Sequence, residues 1–125
     1  MINKYSGTEK DIHLRIHGFV IKCFTNVVQK IPKLPENIPI IKQISASLTS
    51  IGANDQEANA CESNKDFIAK YTIVKKESNE TIYWLNIIAD TNLVEKMIIN
   101  PYLKEAQEIF LIISKIILNS KSHTR

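Results

Sequence analysis

The sequence predicts an all-α fold, an antiparallel up-down-up-down four-helix bundle, and three observations carry that prediction. Apolar residues recur at steps of three and four along four separate stretches, the spacing that gathers them on one face of a helix. Only 3 Gly and 4 Pro interrupt 125 residues, and the prolines stand between those stretches or at their starts. No alternating strand pattern competes.

The first helix is expected over residues 9–31. Ile12, Ile16, Phe19, Val20, Cys23, Val27 and Ile31 form its stripe, Thr8 precedes acids suited to a first turn, and Pro32 and Pro35 stop it. The second is expected over 39–61, with Pro39 in its first turn and Ile41, Ile44, Leu48 and Ile51 on its apolar face. Gly52 lies in mid-helix beside Ser50 and Ala53. A glycine there costs about 1 kcal/mol relative to alanine, which predicts a local kink or a close approach by another backbone.

The third helix, over 64–90, has the strongest periodicity. Ser63 followed by Asp66 reads as a capping box with Asp in place of Glu. Phe67, Tyr71, Val74, Ser78, Thr81, Leu85 and Ile88 alternate steps of four and three as a heptad seam. A second line, Ile73, Glu77, Glu80, Trp84 and Ile87, runs beside it. Two stripes on one helix predict two buried faces, one for the bundle and one for a further partner. Asn92 is a tolerable left-handed residue to end the helix. The fourth helix is expected over 101–119, opened by Asn100 and Pro101 and striped by Leu103, Ala106, Phe110, Ile113 and Ile117. Ile109, Leu111, Ile112, Ile116 and Leu118 lie elsewhere around its circumference. A helix apolar nearly all round is usually covered from more than one side, so self-association is expected, with Ile73, Trp84, Ile87, Ile109, Ile112 and Ile116 as its candidate interface.

The chain length suits one domain, residues 1–125, able to bury a core without staples. With 44% hydrophobic and 23% charged residues it is globular in composition. Residues 1–15 lack the apolar core of a secretory signal. The longest apolar run, Ile109 to Ile113, falls far short of the ~20 residues that span a bilayer. A cytoplasmic protein without membrane association is expected. Cys23 and Cys61 read as small core hydrophobes, since no CxxC or Cys/His pattern accompanies them.

The net charge of +3 is unevenly distributed: +4 over residues 1–53, −2 over 54–80 and +1 over the rest. Such a surplus permits nucleic-acid contact without requiring it. Lys22, Lys30, Lys65, Lys70, Lys75 and Lys76 are the candidate phosphate-binding residues, though a lysine run is ordinarily a solvated face. Asn54 and Glu57, and Glu77 and Glu80, are pairs three residues apart. If their helices are antiparallel neighbours, the four groups converge, to hold a cation or to share protons; the plainer reading is a hydrogen-bonded network at an interface. Carboxylate-bridged metal bundles add a Glu-x-x-His that this chain lacks. His13 and His17 stand four apart, a spacing that reaches one metal, but HExxH is absent and no third ligand is evident. Tyr83 and Trp84 read as core or interface aromatics rather than base-stacking platforms. With no Gly-rich phosphate loop or Ser/His/Asp set, neither an enzyme nor a cofactor is expected.

The stretch Thr49-Ser50-Ile51-Gly52-Ala53-Asn54, then Glu57-Ala58, then Glu62-Ser63-Asn64-Lys65-Asp66-Phe67-Ile68, continuing through Lys76-Glu77, Glu80-Thr81 and Tyr83-Trp84-Leu85, resembles the bacterial "four helix bundle protein" family related to proteins encoded in 23S rRNA intervening sequences. The resemblance covers about a third of the chain. It implies a four-helix bundle assembling as a ring, typically a homopentamer. The family is similar to the accessory protein of diversity-generating retroelements, a pentameric barrel that binds nucleic acid and a reverse transcriptase. Ala46, Asn79 and Ile82 stand where that family commonly carries arginine, and Asn92 where it carries glycine. Three functions follow as expectations: a homo-oligomeric, non-catalytic adaptor that contacts RNA or DNA; a protein–protein scaffold without nucleic-acid affinity; and a carboxylate metal-binding protein.

Overall fold

A computed structural model describes residues 12–122. Among these residues the chain forms α1 (Ile12–Asn26), α2 (Ile38–Asn59), α3 (Asn64–Asp90) and α4 (Lys96–Ser122), with short 3₁₀ turns at Val28–Lys30 and Pro35–Asn37 between α1 and α2.

The contacts between helices fix their directions. On α2 and α3, Asp55 meets Tyr71 and Ser47 meets Thr81, so one number rises as the other falls. Asn64 reaches Ser120 and Lys75 lies over Phe110, which makes α3 and α4 antiparallel. Arg15 holds Glu105, while Asn26 donates to Tyr102, which closes α4 onto α1. His13 on α1 meets Asp55 on α2. Every neighbouring pair is antiparallel, and the bundle is up-down-up-down.

Burial follows the predicted stripes closely on α3. Phe67, Tyr71, Val74, Ser78, Thr81, Leu85 and Ile88 are all buried, with Ala89 beside them. The Ser63 hydroxyl accepts the Asp66 amide at 3.1 Å, capping the helix. At the other end Asn92 takes φ 59°. Its amide bonds Ala89 O and the Leu93 amide bonds Ile88 O, the paired bonds of a Schellman ending.

Several boundaries differ from expectation, among them the start of α2 at Ile38 and the end of α4 at Ser122. Residues 9–11 lie outside the described segment, and α1 ends at Asn26 rather than Ile31. Ile31 precedes Pro32 and is extended, with ψ 127°, as a pre-proline residue prefers. The chain therefore tightens into a 3₁₀ turn that still buries Val27, Val28 and Ile31. The linker is secured where the buried Asn37 donates to Pro32 O at 2.9 Å. α2 ends at Asn59, two residues short of Cys61. α4 begins at Lys96, so Asn100 is not its cap and Pro101 lies inside the helix. Burial of Val94 and Ile99 in the core draws that turn into the helix, against the cost of a missing amide at Pro101.

The fourth helix also corrects the candidate interface. Ile109 and Ile116 are buried in the chain's own core, which leaves them no surface for a second copy; Ile112 is half-buried. The core takes Ala106, Ile113 and Ile117 of the predicted stripe together with Ile99, Ile109 and Ile116, and leaves Leu103 and Phe110 half-buried.

Gly52 is not a close backbone approach either. A Cβ placed there would lie 3.5 Å from Val20 Cγ2 on α1, an ordinary contact. Among the described residues no helix is long and apolar enough to cross a membrane.

Candidate functional site

The most unusual polar arrangement lies where α1, α2 and α3 meet. Asp55 occupies the apolar stripe of α2, four residues after Ile51, and is only 5% exposed. A buried carboxylate must be hydrogen-bonded or its desolvation is very costly. Here the Tyr71 hydroxyl donates to Asp55 Oδ1 at 2.6 Å. His13 Nδ1 lies 2.9 and 3.0 Å from the two carboxylate oxygens, a geometry that selects the tautomer with its proton on Nδ1. Tyr71 in turn packs against Phe67, the rings tilted by 36° with centroids 4.6 Å apart. Imidazole, carboxylate and phenol thus cross-link three helices.

A groove of about 530 Å³ opens beside this node between α1 and α2, lined by His13, His17, Thr49, Gly52, Asp55 and Gln56 among others. Its chemistry is limited. The Thr49 hydroxyl donates to Ser45 O at 2.7 Å on its own helix, so it is not aimed at His13. Among the described residues no group of three or more His, Cys, Asp or Glu side chains is placed to hold a metal ion. Burial pushes the Cys23 thiol up to about 12, which leaves it protonated and poorly nucleophilic at neutral pH. Cys61 is a half-buried free thiol.

The four polar groups expected to converge do not. Asn54 donates to Ser50 O and Oγ on its own helix. Glu57 accepts Lys70 Nζ at 2.6 Å, and Glu80 accepts the Trp84 indole at 3.2 Å. The pairing of α2 with α3 sets Glu57 level with Lys70, while Glu80 lies ten residues further along α3, roughly 15 Å away at 1.5 Å per residue. Glu77 is half-buried on the same flank.

The six candidate lysines fall into separate groups. Lys22 and Lys30 are exposed on α1 and the turn after it. Lys65, Lys70, Lys75 and Lys76 are on α3, diagonally across the bundle. Lys70 is held by Glu57, whose hydrogen bond raises its pKa. Lys75 Nζ lies 5.6 Å from the Phe110 ring centroid, and Lys65 and Lys76 are exposed. A cation the sequence reading passed over is Arg15. Its guanidinium forms a two-pronged contact with Glu105, 2.7 Å on each prong, and reaches Glu108 at 3.0 Å. The Glu105 bond raises the Arg15 pKa further above its ordinary value.

Residues 9–115 match the sequence profile described as 23S rRNA-intervening sequence protein. The chain belongs to the 23S rRNA-intervening sequence protein family. A solved structure from the S23 ribosomal protein family of Bacteroides thetaiotaomicron VPI-5482, described as a protein of unknown function, is similar to it over 85% of this chain and 97% of that one. The two share 31% identity at a TM-score of 0.77. No curated protein matches the chain. Family membership establishes the bundle and leaves the activity open, because fold does not dictate function.

In this family member several large apolar side chains are only partly covered, Trp84 among them although it packs against the core. Ile73, Trp84 and Ile87 are half-buried along the second line of α3, and Tyr83 is exposed beside them. Met97, Leu111 and Leu118 are 82%, 65% and 67% exposed on α4. Scattered apolar exposure is ordinary, but helical alignment is what an interface needs.

Proposed function

We propose that this protein is a non-catalytic, homo-oligomeric adaptor, assembling as a ring for which the family resemblance implies five copies, and presenting a repeated surface to a macromolecular partner. The observation that carries the proposal is the second line of α3. Ile73, Trp84 and Ile87 are only half-buried, while the seam beside them is fully packed. An adaptor role agrees with the Asp55 node, whose hydrogen bonds to His13 and Tyr71 tie three helices together. The metal-binding alternative loses support because Glu57 and Glu80 are engaged by Lys70 and Trp84. Two free thiols, one of them fully buried, suit the reducing cytoplasm, where we place the protein.

Contact with RNA or DNA is the second reading, favoured by the net charge of +3 and by the exposure of Lys22, Lys30, Lys65 and Lys76. The split of those lysines between opposite helices favours a protein partner instead. Titration of labelled structured RNA and duplex DNA across a salt series separates the two. Binding at low salt that weakens steeply as salt rises, through counterion release, supports nucleic-acid contact. Absence of binding at low salt leaves the protein scaffold.

A further inference from the structure

The second line of α3 and the outer line of α4 have the same pattern. Ile73, Glu80 and Ile87 follow one another at intervals of seven residues, apolar, charged, apolar. Met97, Lys104 and Leu111 follow at the same intervals, again apolar, charged, apolar, with the opposite charge in the middle. Seven residues are two turns, or about 10.5 Å, so each trio makes a nearly straight row with matched spacing.

The two rows cannot meet within one chain. Lys70 reaches Glu57 on α2, and by helical phase the half-buried row 73–80–87 lies beyond Lys70 on that same α2 side of α3, away from α4. Ile99, Ala106 and Ile113 of α4 are buried, which turns Met97, Lys104 and Leu111 to the opposite pole of that helix. Met97 and Leu111 are accordingly exposed, as is Lys104. The acids nearest Lys104 on α4, Glu105 and Glu108, are drawn to the α1 side by Arg15. Glu80 keeps capacity for a further donor. The Trp84 indole takes one of its oxygens, and a carboxylate accepts several hydrogen bonds.

We infer that the row Ile73–Glu80–Ile87 of one copy packs on the row Met97–Lys104–Leu111 of the next, with Glu80 paired to Lys104 and the apolar residues closing over the pair on both sides. The inference rests on the homo-oligomeric reading above and deepens it. The occupant is a second copy because both halves of the match, spacing and charge, are present on this one chain. Two different surfaces meet, so the contact is head-to-tail, and head-to-tail contacts build rings when the rotation closes. The charged centre sets the register, since a one-heptad slip opposes a charge to an apolar side chain.

Charge reversal with light scattering tests this on the full chain. Glu80→Lys and Lys104→Glu are each expected to lower the mass toward 14.3 kDa at concentrations where the unaltered chain is a multimer, and the double variant to regain the multimer. Leu111→Glu, at an exposed position that leaves the fold intact by circular dichroism, is expected to dissociate it as well. A multimeric unaltered chain whose single variants all keep their mass overturns this interface and leaves the oligomeric reading standing. Dissociation of the single variants without recovery in the double variant overturns the Glu80–Lys104 pairing. An unaltered chain at 14.3 kDa throughout overturns both readings and points to a different protein partner.

Discussion

Tyr71 donates its phenolic hydrogen to Asp55 across 2.6 Å, in a place where Tyr71 is 0% and Asp55 5% exposed. Hydrogen bonds to a charged group contribute about 1.5–3 kcal/mol. Tyr71→Phe is therefore expected to destabilise the bundle by about 2 kcal/mol, and Asp55→Ala, which removes the acceptor shared by the phenol and His13, by about 3 kcal/mol. Urea unfolding monitored by circular dichroism measures both, and losses below about 0.5 kcal/mol would show the node to be solvated.

Cys23 gives a pH prediction with a definite sign. Burial raises its thiol from the ordinary 9.0 to about 12, so the folded state favours the protonated form. The associated stability is fully present below pH 9 and is lost progressively as pH rises toward 12. A thiol reagent at pH 8 should modify Cys61 first and reach Cys23 only at the rate of unfolding. Equal rates for both residues contradict the buried placement.

The end of α3 predicts two substitutions of opposite sign at one residue. Asn92 has φ 59°, which glycine adopts without the steric penalty of a side chain. Asn92→Gly should stabilise by about 0.5 kcal/mol, and Asn92→Ala destabilise by about 1 kcal/mol. Thermal midpoints moving in the same direction would refute the left-handed assignment.

Gly52 stands in mid-helix with room for a methyl group. Gly52→Ala should raise stability by about 0.5–1 kcal/mol through reduced backbone entropy of the unfolded chain. A loss of stability in denaturant titration would mean that α1 and α2 approach more closely than the 3.5 Å contact with Val20 indicates.

How much of this was legible in the sequence differs from residue to residue. The seam of α3 was readable because seven residues keep the heptad step without a break and Ser63 marks its start. Pro101 misled because a local preference for first-turn proline was outweighed by burial of Ile99, which depends on the other three helices. Ile109 and Ile116 were misassigned because a helix apolar nearly all round does not show how wide its covered face is, and only packing decides that. Asp55 was missed because its partners lie 16 and 42 residues away. Its phase was a usable signal, since it falls on the line of Ile44, Leu48, Ile51 and Ala58 where a polar residue needs a buried partner. Arg15 gave no such warning; its partner Glu105 is 90 residues distant.

The central claim is that the outward apolar rows of α3 and α4 are covered by further copies of the chain. Size-exclusion chromatography with multi-angle light scattering, on the full chain over a hundredfold concentration range, tests it most directly. The account predicts a discrete mass that is a whole multiple of 14.3 kDa, five being the multiple the family resemblance implies. A mass of 14.3 kDa at every concentration would contradict it.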